Sequence, residues 1–309
     1  MAVVNVVLTT YNRPAFLKEA LEAILNQSFK DFKLYILDNG SDIGTKNLLN
    51  TLKDKRIKII ENEVNSLEFI NKAFDLIDSK YMILTHDDDI MEPDFLSSQI
   101  NLLEIDDTIN LLACQISLID ENSKYLNKIR PRLFKTKTWE KGEYIKDYLL
   151  RGNIIPCPTI IFRSDFIRKN QLKYDWIAGP ATDFHLLIKA NSAEGKMVLN
   201  KKALYNYRVH SSQGSELNRI SLEFEVKKEI IILLNKFKMH KFVRSYNSAS
   251  NGIILNILLE GFIRKTISFL TFKKNLQTLI KHNDLKINIY TVYWSLIGVF
   301  RGIKNSIQL

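Results

Sequence analysis

The stretch Tyr81-Met82-Ile83-Leu84-Thr85-His86-Asp87-Asp88-Asp89 is an apolar run that ends in three adjacent carboxylates. Neighbouring carboxylates repel one another, so the triplet needs a counter-charge or free access to water. A divalent cation supplies the counter-charge. Mg²⁺ and Mn²⁺ prefer oxygen ligands and take them from protein carboxylates and substrate phosphate alike. The plainer reading is an exposed acidic turn before a helix, where negative charge is favourable without a ligand. The triplet's place at the end of a buried-strand pattern favours the cation. Two more polar clusters share that situation, Thr9 to Arg13 and Asp38 to Ser41.

The elements that must position these clusters follow from periodicity. Residues 3–9 form a continuous β-branched, apolar run, the pattern of a buried parallel strand. Pro14 opens a helix with Phe16, Leu17, Ala20, Leu21, Ile24 and Leu25 at helical spacing. Residues 34–37, 57–60 and 81–84 read as strands, and Asp38-Asn39-Gly40-Ser41 as a turn. Residues 67–77 have helical spacing, and a helix is expected from Pro93 to about Ile105. This βαβα order predicts an α/β domain with a mostly parallel, Rossmann-like sheet flanked by helices. Ligands of such sheets gather at the carboxyl ends of strands, where all three clusters lie. Farther on, residues 111–120, 159–162 and 204–209 read as strands. Residues 130–141 read as a basic loop and 182–193 as a helix. From Ser215 the pattern is helical to the end.

Other chemistries fit less well. An EF-hand calcium loop counted from Asp87 needs Gly at its sixth position, which is Glu92. A metal-dependent phosphotransferase of the aspartyl-phosphate type also carries Asp-x-Asp after a buried strand, here Asp87 and Asp89. Its position two beyond the second Asp is usually Thr or Val, and here it is Met91. No Gly-rich phosphate loop, Gly-x-Gly-x-x-Gly, His-Glu-x-x-His or Gly-x-Ser-x-Gly is present.

Four ordered segments narrow the choice. Val6-Val7-Leu8-Thr9-Thr10-Tyr11-Asn12-Arg13-Pro14, Leu25-Asn26-Gln27-Ser28-Phe29, Ile36-Leu37-Asp38-Asn39-Gly40-Ser41-Asp42 and His86-Asp87-Asp88-Asp89-Ile90-Met91-Glu92-Pro93 resemble the family-2 glycosyltransferases in order and spacing. The resemblance covers about residues 3–210 and implies the GT-A fold and an inverting, metal-dependent transfer from a nucleotide sugar. It implies that Thr9 and Tyr11 contact the nucleotide base and ribose, with Arg13 in the same donor-binding segment. It implies that Asp38 hydrogen-bonds the base, usually uracil, although an Asp at that position also makes a turn with its own backbone. It implies Asp87 on the ribose side, Asp88 as metal ligand with Asp89 in support, and Mn²⁺ or Mg²⁺ as cofactor. His86 departs from the pattern, because many members carry the first Asp of the motif there. Asp183, at the start of the 182–193 helix after Ala178-Gly179-Pro180, resembles the family's catalytic base. Simple helix capping is the competing account. His210, in Tyr207-Arg208-Val209-His210-Ser211-Ser212, matches a position where some members place a His on the metal or diphosphate. His185 reads as structural.

The chain has 309 residues, 46% hydrophobic and 25% charged, an ordinary globular balance. Cys114 and Cys157 are too few for a disulfide framework and suit a reduced, intracellular protein. The first ten residues lack a basic leader and read as a strand, not a signal peptide. Residues 252–272 and 287–300 are too interrupted or too short to span a bilayer. The expectation is a cytoplasmic protein, soluble or peripheral at the inner face of the cell membrane. Residues 1–214 hold 29 Lys/Arg against 28 Asp/Glu, and residues 215–309 hold 15 against 6. We therefore expect a catalytic domain over 1–214 and a basic helical region over 215–309. That basic surface suits an anionic partner or is simply solvated. Ile253, Ile254, Ile257, Leu258, Gly261 and Phe262 form one apolar face; Ile287, Tyr290, Tyr293, Trp294, Ile297 and Phe300 form another. Such faces pack on the catalytic domain or a second subunit, or dock beside a lipid-linked acceptor. The aromatics lie at core spacing and do not make a nucleic-acid stacking platform. A Lys-, Ile- and Asn-rich composition fits a low-GC bacterium and surface-polysaccharide synthesis. A non-catalytic nucleotide- or carbohydrate-binding protein on the same fold is the other reading.

Overall fold

The computed structural model describes residues 2–176, 182–210, 219–265, 267–281, 291–297 and 299. The expected loop 178–180, Ser211 and Ser212, the boundary at 214, and Ile287, Tyr290 and Phe300 lie outside the described residues. Two compact units emerge: residues 1–141, 153–174 and 190–213 in one, and 142–152, 175–189 and 214–309 in the other.

The first unit is built on buried apolar strands. β1 (Val4–Thr10) and β2 (Phe32–Asn39) bury nearly every side chain, as strands covered on both faces must. Between them runs α1 (Pro14–Leu25), with proline in its first turn and Leu17, Ala20, Leu21 and Ile24 buried at the expected spacing. α2 (Ile43–Asn50) leads to β3 (Ile57–Asn62), and α3 (Leu67–Ile70) precedes β4 (Tyr81–His86). β1 pairs in parallel with both β2 and β4, and β2 with β3. The helical pattern of 67–77 yields only the four residues of α3 and a 3₁₀ turn over Asn71–Asp75. Only Ala73 and Phe74 are buried there, too little apolar surface to hold a longer helix.

β5 (Ile90–Met91) and α4 (Phe95–Ile105) follow, then β6 (Ile109–Ile119), β7 (Tyr125–Arg130) and β8 (Lys137–Trp139). β8 falls inside the expected 130–141 loop. After α5 (Tyr144–Arg151), β9 (Ile161–Arg163) inserts antiparallel between β4 and β6, and α6 (Ser164–Asn170) follows it. α7 (Thr182–Asn191) precedes β10 (Lys196–Arg208). Among the described residues the strands form one α/β sheet in the order β3-β2-β1-β4-β9-β6-β10-β5, with β7 beside β6 and β8 beside β10. β10 runs parallel to β6 but bulges: it takes the steps from Asn200 to Tyr205 while β6 moves only from Cys114 to Ile116. The core combines Val6, Leu8, Leu34, Ile36 and Ile83 with Leu17, Phe95 and Tyr205.

The second unit contains α5, α7, α8 (Arg219–Lys236), α9 (His240–Ile263), α10 (Phe269–Lys281) and helical residues 291–297. Tyr148 stacks on Phe184 with ring centroids 3.6 Å apart, and Tyr246 lies 6.3 Å from Phe184. Ile254 and Leu258, from the first apolar face, are buried with Leu279. Trp294, from the second, is buried and donates its indole N–H to the Leu149 carbonyl at 3.0 Å. Packing thus accounts for these residues, whereas Phe262 and Tyr293 are exposed. No helix among the described residues is long and apolar enough to cross a membrane.

Candidate active site

The register of the parallel strands brings the polar clusters level. Thr10 pairs with Asp38 across β1 and β2, and Thr9 with His86 across β1 and β4. Each strand therefore delivers its last residues to one edge of the sheet. The connection after β1 is tied to the one after β2. Asn12, in the left-handed region at φ 54°, donates its N–H to Ser41 Oγ at 3.2 Å. Its side-chain carbonyl accepts the Asp42 N–H at 2.7 Å. Asn tolerates that conformation better than most residues.

Asp38 is fully buried. Its Oδ1 accepts the Ser41 N–H at 3.1 Å, which is the turn role, while its Oδ2 is buried without a hydrogen-bond partner among the described residues. Buried carboxylate oxygens are costly to leave unmatched. Gly40 makes the turn possible. It has φ 80°, and a Cβ there would lie 2.8 Å from the Asn65 amide nitrogen.

The aspartates divide their partners. Asp87 accepts from Thr10 Oγ1 at 2.8 Å, the Tyr11 N–H at 3.2 Å and Arg13 Nη1 at 3.2 Å. Asp88 Oδ2 accepts from Arg13 Nη1 at 2.7 Å and lies 3.1 Å from His210 Nε2. Asp89 accepts the Arg208 backbone N–H at 2.9 Å and the Tyr205 hydroxyl at 3.3 Å. Burial, with Asp88 adding to it, pushes the carboxyls of Asp87 and Asp89 up, Asp89 well above its usual range. Burial acts on Asp88 in the same sense, but His86, His210 and Arg13 outweigh it and hold that carboxyl low.

One ligand atom from each of His86, Asp88 and Asp89 lies within 4.8 Å of the other two, close enough to share a metal ion. Two carboxylates and an imidazole form a donor set that suits a divalent first-row cation. His210 joins this group through Asp88. Thr9 lies beside it, its hydroxyl 3.4 Å from the Thr85 carbonyl, and Tyr11 is exposed at the rim. His86 is the ligand candidate that the sequence pattern did not supply. Its signal is register, since it stands opposite Thr9 at the same sheet edge. The fully buried Arg208 was also missed. Its Nε–H reaches the Asp88 carbonyl at 2.8 Å, and its guanidinium lies over the Phe16 ring at 4.5 Å.

Asp183 belongs to the second unit, in the first turn of α7. Its Oδ1 accepts the Phe184 N–H at 2.7 Å, consistent with the capping that its sequence position allows. His185 is buried on the same helix, and burial pushes its pKa down.

Residues 5–168, just over half of the chain, match Glycosyl transferase family 2. The chain belongs to this family. As a family-2 chain it is 29% identical over 294 residues to an uncharacterised glycosyltransferase of Methanocaldococcus jannaschii, covering 93% of this chain and 96% of that one. It is 26% identical over 222 residues to the O-antigen biosynthesis glycosyltransferase WbnJ of Escherichia coli, covering 69% and 83%. Among solved structures it resembles Staphylococcus aureus TarS with a TM-score of 0.59 at 17% identity, covering 94% of this chain and 55% of that one. TarS 1–349, solved with UDP-GlcNAc, matches at a TM-score of 0.57 and 13% identity, covering 99% and 92%. The mannosyltransferase PcManGT of Pyrobaculum calidifontis, solved with GDP-Man and Mn²⁺, matches at 0.56 and 14%, covering 99% and 87%. These likenesses establish the GT-A fold for this family-2 glycosyltransferase.

Proposed function

We propose that the protein transfers a sugar from a nucleotide-sugar donor, a UDP-sugar first among them, to a hydroxyl of a glycan or lipid-linked acceptor, with inversion at the sugar C1. The observation that carries this reading is the buried Oδ2 of Asp38, unmatched among the described residues, at the same sheet edge as the His86–Asp88–Asp89 cluster. It offers an acceptor to a base N–H at the same sheet edge as a seat for a cation and diphosphate, with β1 between the two. The ligands of TarS 1–349 and PcManGT support a donor of this class. WbnJ's role in O-antigen biosynthesis supports bacterial surface polysaccharide as the product.

In this reading Thr9, Tyr11 and Arg13 line the donor and Asp87 faces the ribose. Asp88 and Asp89, with His86 and His210, would hold Mn²⁺ or Mg²⁺. When bound, that cation supplies neutralisation of the departing diphosphate. Asp183 takes the proton of the acceptor hydroxyl as general base, so the oxygen attacks C1 from the side opposite the leaving group. Residues 1–214 form the catalytic domain, and 215–309 bring the enzyme to a cytoplasmic membrane face through their excess of basic residues.

Asp183→Asn tests the assignment. Transfer is expected to fall by about 10²-fold or more, while donor affinity by calorimetry stays near wild type. Near-normal turnover removes Asp183 from the role.

A further inference from the structure

Arg13 sits where a cation belongs. A single nitrogen, Nη1, bridges Asp87 Oδ1 at 3.2 Å and Asp88 Oδ2 at 2.7 Å. Asp88 is also a member of the cluster able to share a metal ion. We infer that Arg13 is the resident counter-cation of the aspartate triplet, and that a divalent metal binds by displacing it from Asp88. The inference rests on the metal-site reading given above.

Electrostatics forces the exchange. A guanidinium 2.7 Å from Asp88 Oδ2 repels a dication arriving at the same carboxylate. The two positive charges compete for one site.

The geometry permits it. The side chain of Arg13 is 31% exposed, whereas those of Asp87 and Asp88 are 4% and 11% exposed. The cation has a way out and the carboxylates do not. When Arg13 leaves, Asp87 keeps the Thr10 hydroxyl and the Tyr11 N–H. The Asp88 carbonyl keeps the Arg208 Nε–H, and Asp89 keeps the Arg208 backbone N–H and Tyr205. The acidic loop therefore holds its shape through the exchange. Arg208 cannot take part. It is fully buried and fastened to the Asp88 and Asp120 carbonyls and to Glu19. One arginine fixes the loop, and the other occupies it until the metal comes.

The exchange links metal to donor. Metal affinity is reduced by the fraction of molecules in which Arg13 still holds Asp88. A diphosphate attracts a released guanidinium, a bidentate partner for phosphate oxygens, and so favours the metal-ready state. Metal and nucleotide then bind cooperatively, each raising the other's affinity by the same factor.

Mn²⁺ binding followed by electron paramagnetic resonance tests this, with and without UDP, on wild type, Arg13→Ala and Arg13→Gln. Without UDP both variants are expected to bind Mn²⁺ on the order of tenfold more tightly than wild type. UDP is expected to tighten Mn²⁺ binding more in wild type than in either variant. Arg13→Gln removes the charge but keeps a polar side chain with a hydrogen-bond donor, so it serves if Arg13→Ala folds poorly. Equal Mn²⁺ affinity in wild type and Arg13→Gln overturns the counter-cation inference and leaves the metal site standing. No Mn²⁺ binding by any of the three proteins, with or without UDP, removes the metal site itself.

Discussion

Arg208 and Asp89 are joined by a backbone N–H···Oδ1 bond of 2.9 Å. The same arginine sends its guanidinium the other way, to the carbonyls of Asp88, Asp120 and Glu121, to Ser123 Oγ and to Glu19. It therefore ties the acidic loop after β4 to the turn after β6 and to α1. Removing the side chain strands the buried Asp88 carbonyl and takes a partner from the part-buried carbonyls of Asp120 and Glu121. Arg208→Met is expected to cost about 3 kcal/mol or more of stability. Urea denaturation measures it, and a loss under about 1 kcal/mol contradicts the bracing role.

Asp38→Asn separates turn from binding. Asn can still accept the Ser41 N–H, so the melting temperature should change little. Its amide then presents a donor where Oδ2 was unmatched, and a base N–H meets another N–H. Nucleotide affinity is expected to fall roughly 10- to 100-fold, the scale of a charge-assisted hydrogen bond. Calorimetry with UDP decides, and unchanged affinity means that the base sits elsewhere.

The two thiols should behave differently. Cys114 is buried in β6, and burial pushes its thiol up to about 12. Cys157 is half-buried, with Sγ 2.9 Å from the Tyr174 hydroxyl. Ellman's reagent is expected to modify one thiol in the native protein and both in denaturant. Cys157→Ser should leave no native reactivity, and persistent labelling of that variant would place Cys114 nearer solvent than its burial allows.

His185 gives a pH signature. Burial, the largest influence, lowers its pKa; Lys189 and Lys236 act in the same sense, and Asp175 opposes them. The folded state thus prefers the neutral ring, while the unfolded chain protonates near pH 6.5. The stability it contributes is full above that value and is lost as pH falls from about 6.5 through the lower folded pKa. Between about pH 7 and pH 5 the wild-type melting temperature should drop more than that of His185→Leu. Parallel curves would refute the assignment.

How much of this was legible in the sequence depended on whether the signal was local. β1, β2 and β4 announce themselves as unbroken apolar runs, and their ends carry the polar residues that gather at the sheet edge. α1 was readable from Pro14 and its buried stripe. β7 was not, because all its side chains are exposed and no apolar alternation marks it. β9 has three residues and gains its place only by pairing with β4 and β6. In the site, Asp38 and Asp87–Asp89 stand out by type and position. Arg208 does not, because an arginine at the end of a strand looks solvent-bound until tertiary structure encloses it. His86 gains meaning only from the register that sets it beside Thr9.

The irregularity in β10 bears on how such chains can vary. Side chains alternate faces along a strand, so adding or losing one residue turns everything beyond it over. Between Asn200 and Tyr205 the chain swells against β6, and Tyr205 and Arg208 reach the acidic loop only because that swelling has the right parity. Residues 201–204 should therefore accept many changes of type but not a single-residue deletion, which would turn Tyr205 away from Asp89 and shift Arg208 out of register with it. Length, more than chemistry, is the inherited constraint on that stretch.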